Sequence, residues 1–356
     1  MGIRKKIVII VGARPQFIKH AAIEIATREF FDIVTIHTGQ HYDKNMSDIF
    51  FNELNIKPPT YTLSIGSSNH GKQTGQMMIE IEAIIENEKP DMVLVYGDTN
   101  STLAGALVAS KLHIPVAHVE SGLRSYNNKM PEEINRVLTD HVSGLLFCPT
   151  STAFKNLESE GFKKNIYNVG DVMYDMIRIS KEKGIVKIDN TTGFYFATIH
   201  RPYNTDTQER LSEILAALNS LDLKVIFSLH PRTKSKMAGW SLLESSFENI
   251  KFIDPASYFE CLNYQYNSKA VITDSGGIQK EAYILKKKCI TIRTETEWIE
   301  TLTSGWNTLV FDDLTNLKGI LNKEPGSYIN DIYGNGNAAE KMVNLIVDYL
   351  SEIKLN

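Results

Sequence analysis

Four acidic residues in the N-terminal half stand where they could move protons: Asp98, Glu120 and the adjacent pair Glu132-Glu133. Asp98 follows the apolar run Met92–Tyr96 and Glu120 follows Val116–Val119, so each lies at the end of a predicted strand. Carboxylates gathered at one place raise each other's pKa, so one can hold a proton while another takes one. Proton exchange at a carbon needs such groups on opposite faces of it. Glu132 and Glu133 follow Pro131 at a predicted helix start, where the helix dipole alone would favour acids.

The C-terminal half offers anion-binding chemistry. His200-Arg201 and His230-Pro231-Arg232 follow the runs Phe194–Thr198 and Val225–Leu229, and a histidine-arginine pair at successive strand ends suits a departing phosphate. Asp274-Ser275-Gly276-Gly277 follows Ala270–Thr273 and opens a helix. Its glycines let backbone approach a ligand, and the free amides of the helix start favour a phosphate. Glu281 lies about one further turn along, in reach of a sugar hydroxyl. Ser275 could equally be a plain helix cap. Arg14 and Lys19, in Gly12-Ala13-Arg14-Pro15-Gln16-Phe17-Ile18-Lys19, could meet an anion at the end of the first strand. The glycine spacing there fits neither a P-loop nor a GxGxxG turn, and Gly334-Asn335-Gly336-Asn337 lacks a preceding strand. A dinucleotide dehydrogenase is therefore not expected.

These residues need elements to position them. Further apolar runs are Ile7–Val11, Ile33–His37, Leu145–Phe147 and Cys289–Ile292, and helical patterns separate the runs. That alternation predicts an α/β protein with parallel sheets covered on both faces. The polar segment Lys181–Thr192 is the best linker, giving two Rossmann-like, doubly wound domains over residues 1–180 and 181–337. A C-terminal helix within 338–356 is expected to pack back on the first domain. Six polar clusters follow strands, and open parallel sheets bind ligands at those carboxyl ends.

With 356 residues, 42% hydrophobic and 22% charged, the chain has the profile of a two-domain globular protein. A net charge of −4 gives no reason to expect nucleic acid or an anionic membrane as partner. No apolar stretch reaches a membrane span. Cys148, Cys261 and Cys289 form no CxxC and read as buried thiols, with no zinc site or disulfide frame. A cytoplasmic protein without a metal is the expectation.

Across nearly its full length the chain resembles the non-hydrolysing UDP-N-acetylglucosamine 2-epimerases. The resemblance rests on the Gly12–Lys19 segment, Thr38-Gly39-Gln40-His41, Tyr96-Gly97-Asp98-Thr99, His118-Val119-Glu120-Ser121-Gly122-Leu123-Arg124, Pro131-Glu132-Glu133-Ile134-Asn135-Arg136 and Thr273-Asp274-Ser275-Gly276-Gly277-Ile278-Gln279. It implies the GT-B architecture, two Rossmann-like domains with a cleft between them, and a homodimer. It also implies a mechanism: the proton at carbon 2 is removed, UDP leaves carbon 1, and the bound glycal is protonated on its other face as UDP adds back. No cofactor is needed. By the resemblance, Asp98, Glu120 and Glu132 are the catalytic acids and His200 assists the leaving diphosphate. Arg14 and Lys19 contact substrate, Ser275, Gly276 and Gly277 bind diphosphate, and Glu281 binds ribose. Gln40 and His41 match part of a region where a second substrate molecule activates bacterial members. The arginine that supports it is replaced by Lys72.

The departures from the family concern specificity. His200-Arg201-Pro202-Tyr203-Asn204 differs from the common stretch, Trp298 stands where a substrate-contacting arginine is common, and Leu229-His230-Pro231-Arg232-Thr233 is also unusual. The last two are similar to a subgroup that epimerises UDP-2,3-diacetamido-2,3-dideoxyglucuronic acid, in which Arg232 would suit a uronate carboxylate. A hydrolysing epimerase, a GT-B glycosyltransferase and a catalytically silent sensor are the rival readings. Asp98, Glu120, Glu132 and His200, matched in order, argue against the last two.

Overall fold

Short β-branched segments form the strands because both faces of a parallel strand are buried, which leaves no polar alternation. The computed structural model describes residues 4–39, 56–66, 68–187 and 193–353; Gln40, His41 and positions 188–192 of the linker segment lie outside them. The chain divides into two compact units, Met1–Ile179 with Asp331–Asn356, and Ser180–Asn330.

In the first unit seven strands run parallel: Lys5–Val11 (β1), Phe31–His37 (β2), Tyr61–Thr62 (β3), Met92–Tyr96 (β4), Val116–Val119 (β5), Leu145–Cys148 (β6) and Ile166–Asn168 (β7). Their order is β3-β2-β1-β4-β5-β6-β7, so the winding reverses between β1 and β4. Helices cover the faces: Arg14–Thr27 (α1), His70–Glu88 (α2), Asn100–Lys111 (α3), Pro131–Val142 (α4), Ser151–Ser159 (α5) and Val172–Glu182 (α6). Met77, Ile81 and Ile85, four residues apart along α2, pack with Val8, Ile10, Val93 and Val95 of the central strands.

The second unit repeats the plan with six parallel strands: Tyr195–Thr198 (β8), Val225–Ser228 (β9), Ile250–Ile253 (β10), Ala270–Thr273 (β11), Lys288–Thr291 (β12) and Asn307–Leu309 (β13). The order β10-β9-β8-β11-β12-β13 reverses between β8 and β11. Its helices are Pro202–Thr205 (α7), Gln208–Asn219 (α8), Pro231–Gly239 (α9), Tyr258–Asn267 (α10), Gly276–Ile284 (α11) and Leu317–Asn322 (α12). Leu211, Ile214, Leu215 and Leu218 of α8 pack on Tyr195, Ala197, Val225 and Phe227.

Ala338–Ile353 (α13) belongs to the first unit and packs against α1. Asp175 of α6 receives its first turn, accepting hydrogen bonds from the amides of Ala338 (3.0 Å) and Ala339 (2.9 Å). Cys148 and Cys289 are buried, which pushes both thiols up to about 12, while Cys261 is partly exposed.

Candidate active site

In the first unit the polar clusters follow β1, β4 and β5, three adjacent strands flanking the reversal of winding. Gln16 ties two of these turns together. Its Oε1 accepts the amides of Gly12 (2.7 Å) and Ala13 (3.1 Å), and its Nε2 donates to the Tyr96 carbonyl at 2.7 Å. Gly12 is required where it stands, because a Cβ would lie 2.0 Å from Ser101 Oγ. Thr99 then caps α3 by accepting from the Thr102 amide.

Four charged side chains gather over this scaffold. Lys19, reaching from α1, forms an ion pair with Glu120. Glu120 sits in the left-handed region at φ +68°, and a Cβ on Gly97 would approach its Oε2 to 3.3 Å. Asp98, next to Gly97, pairs with Arg136 of α4, and Arg136 also pairs with Glu133. Loss of solvent is the main cause that raises the Asp98 pKa above the ordinary carboxylate value; Arg136 and Lys19 oppose it and Glu120 adds to it. The arrangement suits a carboxyl that holds its proton beside a carboxylate paired with a cation.

Beneath the turns lies a buried network. His118, fully buried in β5, contacts Asp140 Oδ1 through Nδ1 at 2.6 Å and the Gly97 carbonyl through Nε2 at 2.8 Å. Asp140 also accepts from the Gly122 amide (3.1 Å) and from Arg124 (2.7 Å). Burial would raise the Asp140 pKa, but His118 and Arg124 together outweigh it and hold the carboxyl below its usual range. His118 and Asp140 thus link the turn bearing Asp98 to the turn bearing Glu120.

Glu132 and Glu133 part company. Glu132 is exposed, whereas Glu133 is buried and accepts from the amides of Ser125 (2.9 Å) and Tyr126 (3.0 Å). The sequence offered both acids as candidates, and the resemblance singled out Glu132; it assigned no role to Arg136 or to Asn135, which donates to the Asp98 carbonyl at 3.0 Å. The spacing of Glu133, Arg136 and Asp140 (i, i+3, i+7) marks one helix face and was a signal for them. Arg14 begins α1, but its side chain lies outside the described residues, as do Gln40 and His41. Lys72 is exposed on α2.

In the second unit the clusters follow β9, β8 and β11, again adjacent. Asp274, fully buried, accepts from the amides of His200 (3.0 Å) and Arg201 (2.8 Å) and from Asn204 Nδ2 (3.1 Å). His200 Nδ1 lies 3.3 Å from its Oδ1. Burial lowers the His200 pKa, opposed by Asp274 and aided by Arg201. The His200 ring stacks on His230, centroids 5.0 Å apart. Arg232 is engaged by Asp206 (2.5 Å) and Thr205 Oγ1 (3.1 Å).

The turn at Ser275 answers one expectation differently. Ser275 occupies the cap position of α11, but its side chain makes no capping bond; its amide donates to Thr273 Oγ1 at 3.0 Å. A Cβ on Gly276 would lie 2.3 Å from Glu297 Oε1, while one on Gly277 would meet nothing within 4 Å. Gly277 thus leaves its side of the helix start open, and Gly276 makes room for Glu297. Trp298 is buried beneath Lys280 Nζ, 3.9 Å from the ring centroid. Glu281 is buried in α11 and receives a hydrogen bond from Gln265. Among the described residues no group of three or more His, Cys, Asp or Glu could hold a metal ion, and no helix is long and apolar enough to cross a membrane.

Two doubly wound parallel units, each with its polar residues at the switch of winding, as the apolar runs predicted, place the chain in the GT-B class of α/β folds that the resemblance implied. The family model for UDP-N-acetylglucosamine 2-epimerase matches residues 23–347, and the chain belongs to that family of isomerases. A UDP-N-acetylglucosamine 2-epimerase homologue of Methanococcus maripaludis is 49% identical, over 96% of this chain and 99% of that relative. The UDP-2,3-diacetamido-2,3-dideoxy-D-glucuronate 2-epimerase of Pseudomonas aeruginosa is 46% identical over 98% of this chain and 100% of its own. The crystal structure of the Methanocaldococcus jannaschii UDP-GlcNAc 2-epimerase, in complex with UDP-GlcNAc and UDP, superposes with a TM-score of 0.83 at 45% identity, covering 97% of this chain and 99% of that one.

Proposed function

We propose that the protein interconverts UDP-N-acetylglucosamine and UDP-N-acetylmannosamine without net hydrolysis. The observation that carries this reading is the group formed by Lys19, Glu120, Asp98 and Arg136 at the ends of adjacent strands. In this reading the first unit supplies the proton chemistry. One carboxylate takes the proton from carbon 2, the carbon 1–oxygen bond breaks, and UDP departs to leave a glycal. A protonated carboxyl then delivers a proton to the other face, and UDP adds back at carbon 1. The raised pKa of Asp98 supports a role that begins protonated. Glu132, exposed on the first turn of α4, is the third acid.

The second unit holds UDP. The amides of Gly276 and Gly277 at the start of α11, with the Ser275 side chain beside them, receive the diphosphate, and Glu281 receives the ribose. His200 has Nδ1 facing Asp274, so Nε2 is the nitrogen left to meet the departing phosphate. An arriving diphosphate favours the imidazolium, against the burial that lowers its pKa. Arg14, Lys19 and Arg201 are further contacts to the substrate, and the active form is a homodimer in the cytoplasm.

A second reading, the diacetamido uronate as substrate, is favoured by the relative that is 46% identical. Arg232 would have to give up Asp206 to meet a uronate. Proton NMR in heavy water with each nucleotide sugar separately decides. The expected result is deuterium at carbon 2 and a manno product from UDP-N-acetylglucosamine, with no net UDP. Exchange only with the uronate establishes the second reading. Accumulating UDP, or no exchange with either, overturns both.

A further inference from the structure

We propose that Gln265 is a positioning residue that holds the carboxylate of Glu281 for the ribose of a nucleoside diphosphate. This rests on the reading of Glu281 given above. Gln265 lies on α10 and Glu281 on α11; both are buried, Gln265 completely. Gln265 Nε2 donates to Glu281 Oε2 at 2.6 Å, a short hydrogen bond to a charged acceptor. The same nitrogen makes a weaker contact, 3.6 Å to Cys261 Sγ.

The opposite end of the same amide shows why the glutamine is there. Gln265 Oε1 is buried with no hydrogen-bond partner among the described residues. Turning the amide over would set this oxygen against the carboxylate, so Glu281 fixes the orientation. A buried amide oxygen without a donor is costly, and a methionine would fill similar space with no such oxygen. Packing therefore does not account for glutamine at this position, whereas its donor does. A buried carboxylate needs a donor, and a long side chain held in one rotamer gives up less freedom when ligand arrives.

The placement suits the ligand. Glu281 lies five residues beyond Gly276, about 7.5 Å along the helix axis. That span is suited to a nucleoside diphosphate whose phosphates sit at the helix start and whose ribose hydroxyls reach the carboxylate. Gln265 itself touches no ligand in this scheme; it sets the plane in which Glu281 accepts the two hydroxyls.

Calorimetric titration of the full chain tests this, using UDP and its analogue lacking both ribose hydroxyls. The wild type should prefer UDP. Gln265→Leu should weaken UDP binding about tenfold, as expected for loss of a charge-assisted bond, and change the analogue less than about twofold. Gln265→Glu, which replaces the donor with a like charge, should weaken UDP further. Added to Glu281→Ala, Gln265→Leu should cost nothing more. Gln265→Met carries the same expectation if Gln265→Leu fails to fold. A Gln265→Leu protein with wild-type preference for UDP, while Glu281→Ala has lost it, overturns the positioning role and leaves the ribose reading standing. A Glu281→Ala protein that keeps the preference overturns the ribose reading, and the role of Gln265 with it.

Discussion

Asp98 owes its raised pKa first to loss of solvent, modulated by neighbours from three different elements: Arg136 on α4, Glu120 after β5 and Lys19 on α1. We expect Asp98→Asn to abolish deuterium entry at carbon 2 while UDP affinity, measured by titration, stays within about twofold, because the amide is nearly isosteric and the change is confined to proton chemistry. Loss of UDP binding as well would make the residue structural. The titration has a sign. Loss of solvent raises the folded-state pKa, so Asp98 favours the folded state at low pH and that contribution is lost as pH rises through the raised value. The limb of the pH–rate profile that reports Asp98 should lie above the ordinary carboxylate range. Arg136→Gln should move it higher still, since the guanidinium opposes the shift. A limb that stays put or moves down contradicts this account. The placing of Asp98, Glu120 and His200 at strand ends was legible in the sequence because each follows an apolar run; Lys19, on α1, was picked out by the resemblance instead. Gln16, Asp274 and Gln265 were not legible. Gln16 bonds Tyr96 across 80 positions and Asp274 bonds His200 across 74; such pairings appear only once strands are neighbours.

At the level of elements, legibility followed burial. The nine apolar runs correspond to β1, β2, β4, β5, β6, β8, β9, β11 and β12, with ends shifted by a residue or two. The four strands that escaped notice, β3, β7, β10 and β13, are the edges of the two sheets. An edge strand is short and half exposed, so its residues need not be uniformly apolar: Ile166-Tyr167-Asn168 has no buried position. The turn after β5 offers a test at this scale. Gly122 has φ +78°, and a Cβ would lie 2.2 Å from the Ala153 carbonyl oxygen, which is backbone and cannot swing aside. Gly122→Ala should cost at least about 1–3 kcal/mol in denaturant unfolding, and reduce activity through Glu120 two residues before it. Gly277→Ala is the contrast: its Cβ meets open space, so stability should hold within about 0.5 kcal/mol. Equal costs for the two would show that contact geometry is not what selects these glycines.

The chain as a whole leaves its first unit near Ser180 and returns to it at Asp331, so the first unit is completed by a segment that follows the second. That α13 has an apolar face was legible; that Asp175 of α6 would receive its amides was not, because the two lie more than 160 positions apart. Asp175 is buried, and burial raises its pKa to about 6 although the Ala338 and Ala339 amides and Arg178 favour the anion; Asp171 adds slightly to the rise. The folded value exceeds the ordinary 3.8. Protonation therefore favours the folded state: the contribution is full below about pH 4 and is lost as pH rises through about 6. Other carboxylates titrate over the same range, so the useful quantity is a difference. Asp175→Asn keeps an oxygen for the helix start and cannot titrate. The melting temperature of the wild type relative to Asp175→Asn should rise as pH falls from about 6 to about 4. A flat difference would mean that the amides of α13 only balance burial, and one that falls that they outweigh it and stabilise the anion; either overturns this account. Asp175→Leu removes the acceptor altogether and should destabilise the protein at every pH in the range, by about 1–3 kcal/mol, because two buried amides lose their partner.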